Sequence, residues 1–180
     1  GMGALVALLI VLLILVWDWN WFKRPIEHRV SAATGRSFHI DGDLSVQLAW
    51  KPRITMHGLR LGNLPGNHDP EMASAQQLQF RLHLLPLLRH DWVLSDVRLS
   101  QPRLLLEINR AGVANWNFPH TDRKLPEIRE LSVDEGKLHY RNPLRDTDMA
   151  FDVRSGAPQA DARLAPLLVN GNGRYVGNAV

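Results

Sequence analysis

Leu94-Ser95-Asp96-Val97-Arg98-Leu99-Ser100-Gln101-Pro102-Arg103-Leu104-Leu105-Leu106 is matched 34 residues later by Ile128-Arg129-Glu130-Leu131-Ser132-Val133-Asp134-Glu135-Gly136-Lys137-Leu138-His139-Tyr140. Both read apolar-x-x-apolar-x-apolar, two polar residues, Pro or Gly, a base, Leu, any residue, apolar. Met56-His57-Gly58-Leu59-Arg60-Leu61-Gly62-Asn63 is a partial third copy. Period-two alternation marks half-buried strands, and a central Pro or Gly marks a tight turn. Each unit therefore reads as a strand, a turn and a second strand. Stacking such hairpins builds a long, curved antiparallel sheet. A propeller or β-helix calls for a stricter period.

Neighbouring segments carry the same period. Leu44, Val46, Leu48 and Trp50 alternate with Ser45, Gln47 and Ala49, after an Ile40-Asp41-Gly42-Asp43 turn. Asp41 and Asp43 lack the further oxygens and closing Glu of a calcium loop. Pro52 ends that strand, and Ile54, Met56, Leu59 and Leu61 form the next, with Gly58 marking a bulge. Residues 62–70 are loop chemistry. Leu78, Phe80, Leu82 and Leu84 alternate with Gln77, Gln79, Arg81 and His83. Leu85 to His90 contains Pro86 and reads as a short helical turn capping one end of the sheet. Asn109-Arg110-Ala111-Gly112 is a turn leading to Asn115-Trp116-Asn117-Phe118. Met149, Phe151 and Val153 alternate before the Ala/Pro/Gly-rich C-terminal sequence, and the strand pattern still open at Val180 predicts that the natural chain continues.

The N-terminus is different. Gly1 to Trp17 holds no charged or polar side chain and would be about 25 Å long as a helix, just short of the ~30 Å hydrocarbon core. Trp17, Trp19 and Trp21 supply an interfacial belt. The run is longer than a signal-peptide core and lacks a small-x-small cleavage site. It is also apolar on every face, unlike a core-packing helix. The expectation is an uncleaved transmembrane signal-anchor over residues 1–22, with Leu5, Leu8, Leu9, Leu12, Leu13, Leu15, Trp17, Trp19 and Trp21 as anchor residues. Residues 23–36 then read as a juxtamembrane amphipathic helix. Pro25 lies at its start, Ile26, Val30 and Ala33 on one face, Glu27, His28 and Arg29 on the wet side, and Gly35 at its end. Residues 37–180 are the β-region. Lys23, Arg24 and Arg29 follow the apolar run with nothing basic before it, so positive-inside counting places the body in the cytoplasm.

The net charge of +3 is mild and the Lys and Arg residues are scattered, which gives no nucleic-acid stripe. The absence of cysteine rules out disulfides and thiolate-held metals. No nucleophile motif, P-loop, dinucleotide fingerprint or HExxH is present, and no cofactor is implied. His83 and His90 flank the Pro86 turn, but one lies in the polar phase of a strand and the other in a connection. The acidic residues sit at polar phases or turns, and no catalytic pair stands out. An apolar sheet face needs a cover, which can be another sheet, a helix or acyl chains.

Several phrases in order resemble the N-terminal region of the AsmA-like family. They are Trp21-Phe22-Lys23-Arg24-Pro25-Ile26-Glu27, Thr34-Gly35-Arg36, Ile40 to Val46, Trp50-Lys51-Pro52, Leu59 to Asn63, Leu84 to Leu88, and Gly112 to Phe118. The resemblance runs to about Tyr140. It implies a non-enzymatic Gram-negative inner-membrane protein with a periplasmic body and a longer parent chain. The family is similar to chorein-type bridge proteins, whose β-grooves carry phospholipid. It also reverses the orientation that the local charges favour.

The expectation is thus a mainly β protein: a curved antiparallel sheet of stacked hairpins forming an open groove, preceded by one transmembrane and one short amphipathic helix. The candidate lipid groove is Leu44, Val46, Leu48, Leu78, Phe80, Leu82, Leu104, Leu106 and Ile108. The expected partners are membrane phospholipids, the inner membrane and envelope proteins, without nucleic acid. The alternative function is an anchored scaffold assisting outer-membrane protein assembly.

Overall fold

A computed structural model describes residues 2–119, 126–156, 166–176 and 178–179, without the side chains of 14–16 and 179. Helix α1 (Met2–Val16) leads to a 3₁₀ turn (Trp19–Phe22), helix α2 (Lys23–Thr34), and strands β1 (Phe38–Ile40), β2 (Leu44–Gln47), β3 (Arg53–Gly62) and β4 (Glu71–Leu82). The short α3 (Leu84–Leu87) precedes β5 (Val93–Ser100), β6 (Arg103–Glu107), β7 (Glu127–Ile128), β8 (Leu131–Asp134) and β9 (Gly136–Asn142). Then come β10 (Thr147–Ser155), β11 (Leu167–Tyr175) and β12 (Asn178–Ala179). All twelve strands belong to one open sheet.

The helix expected to span a membrane over residues 1–22 is shorter than that. α1 has 15 residues, about 22 Å at the α-helical rise. No helix among the described residues is long and apolar enough to cross a membrane. The break has a local cause. Asp18 is extended, and its side chain accepts a hydrogen bond from Asn20 N (3.0 Å), capping a new 3₁₀ turn. Trp19 then packs against the sheet instead of extending the helix.

α2 ends where Gly35 takes the left-handed conformation at φ 64°. Its side chains cap the outer edge of the sheet. Ser31 Oγ accepts from Phe38 N (2.9 Å) and Glu27 Oε1 from Ile40 N (2.7 Å), while Asn20 Oδ1 accepts from Leu44 N (3.0 Å). An edge whose donors are filled offers no template to another strand. Glu27 is therefore a structural acceptor and does not belong to a wet face.

The repeat is real, but its geometry is not a stack of hairpins. From Arg98 of β5 through Leu104 of β6 the chain runs along β4 in one antiparallel register, with Gln77 opposite Ser100 and Ala73 opposite Leu104. The chain continues through Gln101-Pro102 in the same direction. The second unit lies parallel to the first: Leu94 pairs with Ile128, Val97 with Leu131, Arg103 with Lys137 and Leu106 with Tyr140. Every partner is the repeat-equivalent residue. The sheet is thus mixed, and residues 108–126 are the crossover that a parallel pair requires.

Left-handed residues explain both the spacing and the misleading turn signal. Asp96 and Glu130 occupy equivalent positions at φ 51° and 57°, and Gln101 and Glu135 do so at 48° and 49°. Gly58 takes the same template position at φ 64°. In a regular strand, residues three apart face opposite sides. With Gly58 between them, Met56 and Leu59 join one core. Gly58 produces no register shift against β4; the irregularities fall between Leu61 and Gly62 and between Gln79 and Arg81. Gln101 Nε2 also donates to Glu135 Oε2 (2.9 Å), tying equivalent jogs together.

Two further boundaries differ from the alternation. β2 ends at Gln47, leaving Leu48 and Trp50 exposed in a connection, and Leu84 opens α3 instead of closing β4. Pro52 lies directly before β3 and Pro86 within α3, so neither enters a strand.

Candidate functional site

Register places the strand residues in transverse rows. One row runs Phe38, Leu61, Ala73, Leu104, Leu138, Phe151, Gly171. Another runs Leu106, Tyr140, Met149, and a third Leu44, Met56, Leu78, Leu99, Val133. Cross-strand partners share a face, so these rows form an apolar surface. Gly171 is part of its packing: a Cβ there would lie 2.2 Å from Phe151 Cδ1, so the Phe151 ring occupies the space a side chain would take.

The surface has two fates. Over β1–β4 it is covered. Ile40, Leu44, Met56 and Leu59 are buried, with Trp19 of the 3₁₀ turn, Ile26 of α2, Leu78 and Phe80 packed against them. Across β6, β9 and β10, Leu104 stays 37% exposed, and Leu106, Leu138, Tyr140, Met149 and Phe151 are half-buried. Of the candidate groove residues, Leu44, Leu78 and Phe80 belong to the covered core. Val46 pairs with Ile54, next to Phe80, and is half-buried. Leu82 is buried at the end of β4, Leu48 stands outside the sheet, and Ile108 forms a bridge with Ala114. Leu104 and Leu106 remain as uncovered positions, joined by Leu138, Tyr140, Met149 and Phe151.

The opposite phase is polar: Ser74, Arg103, Lys137, Asp152 and Asn170 form one row. A trough of about 660 Å³ crosses β4, β6, β9, β10 and β11. Its lining includes these residues with His139, Arg141 and Asn172, and also Leu104, Leu138 and Phe151. Such a mixed lining suits a wetted cleft better than a dry acyl slot. His139 Nε2 lies 2.5 Å from Asp148 Oδ1, and Arg141 Nε lies 3.6 Å from the other oxygen. The His139 hydrogen bond is the main reason the Asp148 carboxyl is held below its ordinary range.

A buried polar hub beside β6 was not legible as a site in the sequence. Asn115 is fully buried. Its side chain accepts from Glu107 N (3.0 Å) and donates to Leu105 O (2.8 Å) and Asn63 Oδ1 (3.1 Å). Arg36 donates to the Asn115 and Asn117 carbonyls (3.1 and 3.3 Å) and lies over the Phe118 ring. The hub clamps the residue following α2 and the start of the crossover onto the sheet. Trp116 then packs beside Tyr140, 6.3 Å between centroids, at the rim of the uncovered face.

Among the anchor residues, Leu5, Leu8, Leu9, Leu12 and Leu13 are exposed around α1, whereas the Leu15 side chain lies outside the described residues. Trp17 and Trp21 are exposed and meet edge-on, but Trp19 is part of the core. His83 bonds Ser95 Oγ (2.8 Å), and burial lowers its pKa. Among the described residues no group of His, Cys, Asp and Glu could hold a metal. Asp41 pairs with Arg60, whose hydrogen bond lowers the carboxyl pKa, and serves the turn crossing β3.

Comparisons with known proteins carry the sequence phrases further. No solved structure matches the chain. The AsmA family protein YhjG of Escherichia coli (strain K12) is 30% identical over 130 residues, covering 64% of this chain and 19% of that protein. The chain thus spans about a fifth of the length of this curated relative. The AsmA family model matches residues 2–142, from α1 through the second repeat to the end of β9, and the chain belongs to the AsmA family.

Proposed function

We propose that the chain is the membrane-proximal part of a non-catalytic envelope protein that holds phospholipid acyl chains on the uncovered stretch of its apolar face. The whole protein would move or organise phospholipids between inner and outer membranes. The observation that carries this reading is the apolar surface around Leu104, Leu106, Leu138, Tyr140, Met149 and Phe151, which no described helix covers, on a sheet that does not close. Burying methylene groups there stabilises a lipid by ~0.8 kcal/mol each.

α1 supports residence at the inner membrane. A helix with exposed leucines on all sides is stable in hydrocarbon and not in water. Its ~22 Å fall short of a ~30 Å core, a mismatch that local thinning accommodates. The family resemblance supports a periplasmic body.

The test is native mass spectrometry of the full chain purified gently from membranes. Co-purified phospholipid is expected, and Leu104→Glu, Leu138→Glu or Phe151→Glu should remove it while the far-UV circular dichroism stays unchanged. Lipid-free wild-type protein, or lipid retained by folded variants, contradicts the proposal.

A further inference from the structure

At one end of the sheet five neighbouring strands, β2, β3, β4, β5 and β7, begin or finish together. Gln47 pairs with Arg53, Arg53 with Arg81, Leu82 with Leu94, and Leu94 with Ile128. The connections at this end, residues 48–52 and 83–92, leave most of their bulky apolar side chains exposed. Trp50 is 71% exposed and Leu88 79% exposed, and Leu48, Leu85, Trp92 and Ile128 are exposed too. The second connection is ordered by its own backbone, with Leu88 N bonded to Leu84 O (3.3 Å) and Arg89 N to Pro86 O (2.9 Å). It therefore presents its leucines from a fixed turn.

Lys51, Arg53, Arg89 and Arg129 are interleaved with these residues, against the acidic Asp91, Glu127 and Glu130. Arg129 pairs with Glu127 at 2.7 Å. Bulky apolar groups, tryptophans and a basic excess together match a bilayer interface better than water.

The direction of α2 links this end to α1. Asn20 holds Leu44, Glu27 holds Ile40 and Ser31 holds Phe38, so α2 runs opposite to β1 and β2. Those strands run toward Gln47, at the end just described. The chain therefore leaves α1 on the same side of the sheet as the exposed connections.

We infer that this end of the sheet is a second bilayer contact. The connections at 48–52 and 83–92 seat in the interface of an anionic phospholipid membrane, with Trp50, Leu88 and Trp92 at the acyl boundary and Lys51 and Arg89 against lipid phosphates. The inference rests on the reading of α1 as membrane-held and adds that the sheet itself is fixed against the surface.

Because the chain has no cysteine, single substitutions give unique labelling sites. The full chain carrying Trp50→Cys, Leu88→Cys, Ile128→Cys, Gly66→Cys or Leu9→Cys is labelled with an environment-sensitive dye and reconstituted into vesicles containing phosphatidylglycerol. Labels at 50, 88 and 128 should be dry, the label at 66 wet and the label at 9 fully immersed. Lys51→Gln with Arg89→Gln should shift the dry-to-wet ratio at 88 by on the order of 30-fold, at roughly a ten-fold affinity change per 1.4 kcal/mol and ~1 kcal/mol per basic residue. Labels at 50, 88 and 128 as wet as that at 66, with 9 still immersed, overturn the inference but leave the membrane reading standing. A wet label at 9 overturns the membrane reading itself. Drying at 88 that follows protein concentration without vesicles assigns the patch to self-association and also overturns the inference.

Discussion

The apolar face of the sheet is built by one alternation but meets two environments. Over β1–β4 the 3₁₀ turn and α2 lie on it, and Ile40, Leu44, Met56 and Leu59 disappear from solvent. Over β6, β9 and β10 the same phase continues through Leu104, Leu138 and Phe151 with no helix on it among the described residues. The sheet edges differ in the same sense. Ser31, Glu27 and Asn20 fill the donors of β1 and β2, and no such side-chain caps are seen along β11 among the described residues. The difference teaches that burial here depends on which element arrives to cover a strand and not on the strand's own pattern. The covered half holds the clustered core of Ile40, Leu44, Met56 and Leu59, and the uncovered half leaves the same phase of the sheet open.

Substitution should separate the halves. Leu44→Asp or Met56→Asp places an unpaired carboxylate under α2 and is expected to cost about 3–5 kcal/mol or more, enough to abolish cooperative unfolding in a denaturant titration. Asn115→Ala should rank next. It strands the Glu107 amide and the Leu105 carbonyl, and a loss of about 2–3 kcal/mol is expected from the same titration. In the uncovered half, Leu138→Glu should change stability by less than about 1 kcal/mol, because its carboxylate reaches water. A large destabilisation there would erase the distinction between the two halves.

A pH series sharpens the comparison at the end of β4. The His83 pKa lies below its ordinary 6.5 because burial disfavours the cation. Its contribution to stability is complete above that ordinary value. It is lost as pH falls toward the folded-state pKa, since the unfolded chain takes up the proton first. Thermal melts between pH 7 and pH 5 should show this slope, and His83→Gln should flatten it. The smallest effect is expected at the jog of the second repeat. Glu130→Gly relieves a left-handed non-glycine backbone, and a gain of up to about 1 kcal/mol should appear in chemical denaturation.

The strands themselves were legible because their spacing is chemical. Leu104 and Leu106, like Met149, Phe151 and Val153, show the period of a half-buried sheet. The repeat was legible too, but its direction was not. Gln101-Pro102 and Glu135-Gly136 look like reversals, whereas left-handed Gln101 and Glu135 only jog the strand and preserve its heading. The strict 34-residue pairing was the signal for parallel stacking. The limit of α1 was illegible for a different reason. Asp18 ends the helix by capping the turn that follows, a contest between caps that hydropathy does not register. Glu27 reads as a wet-side residue and Asn115 only as part of a segment after a turn, and only tertiary structure supplies the orphan backbone groups they satisfy.

The central claim is that lipid contacts one phase of the sheet. A photoreactive amino acid can be placed in cells at Leu104, Leu106, Leu138 and Phe151, and at the alternating positions Arg103, Lys137 and Asp152, followed by mass spectrometric identification of crosslinks. The account predicts phospholipid adducts at the first set and not at the second. Equal labelling of both phases, or labelling confined to the polar trough, would contradict it.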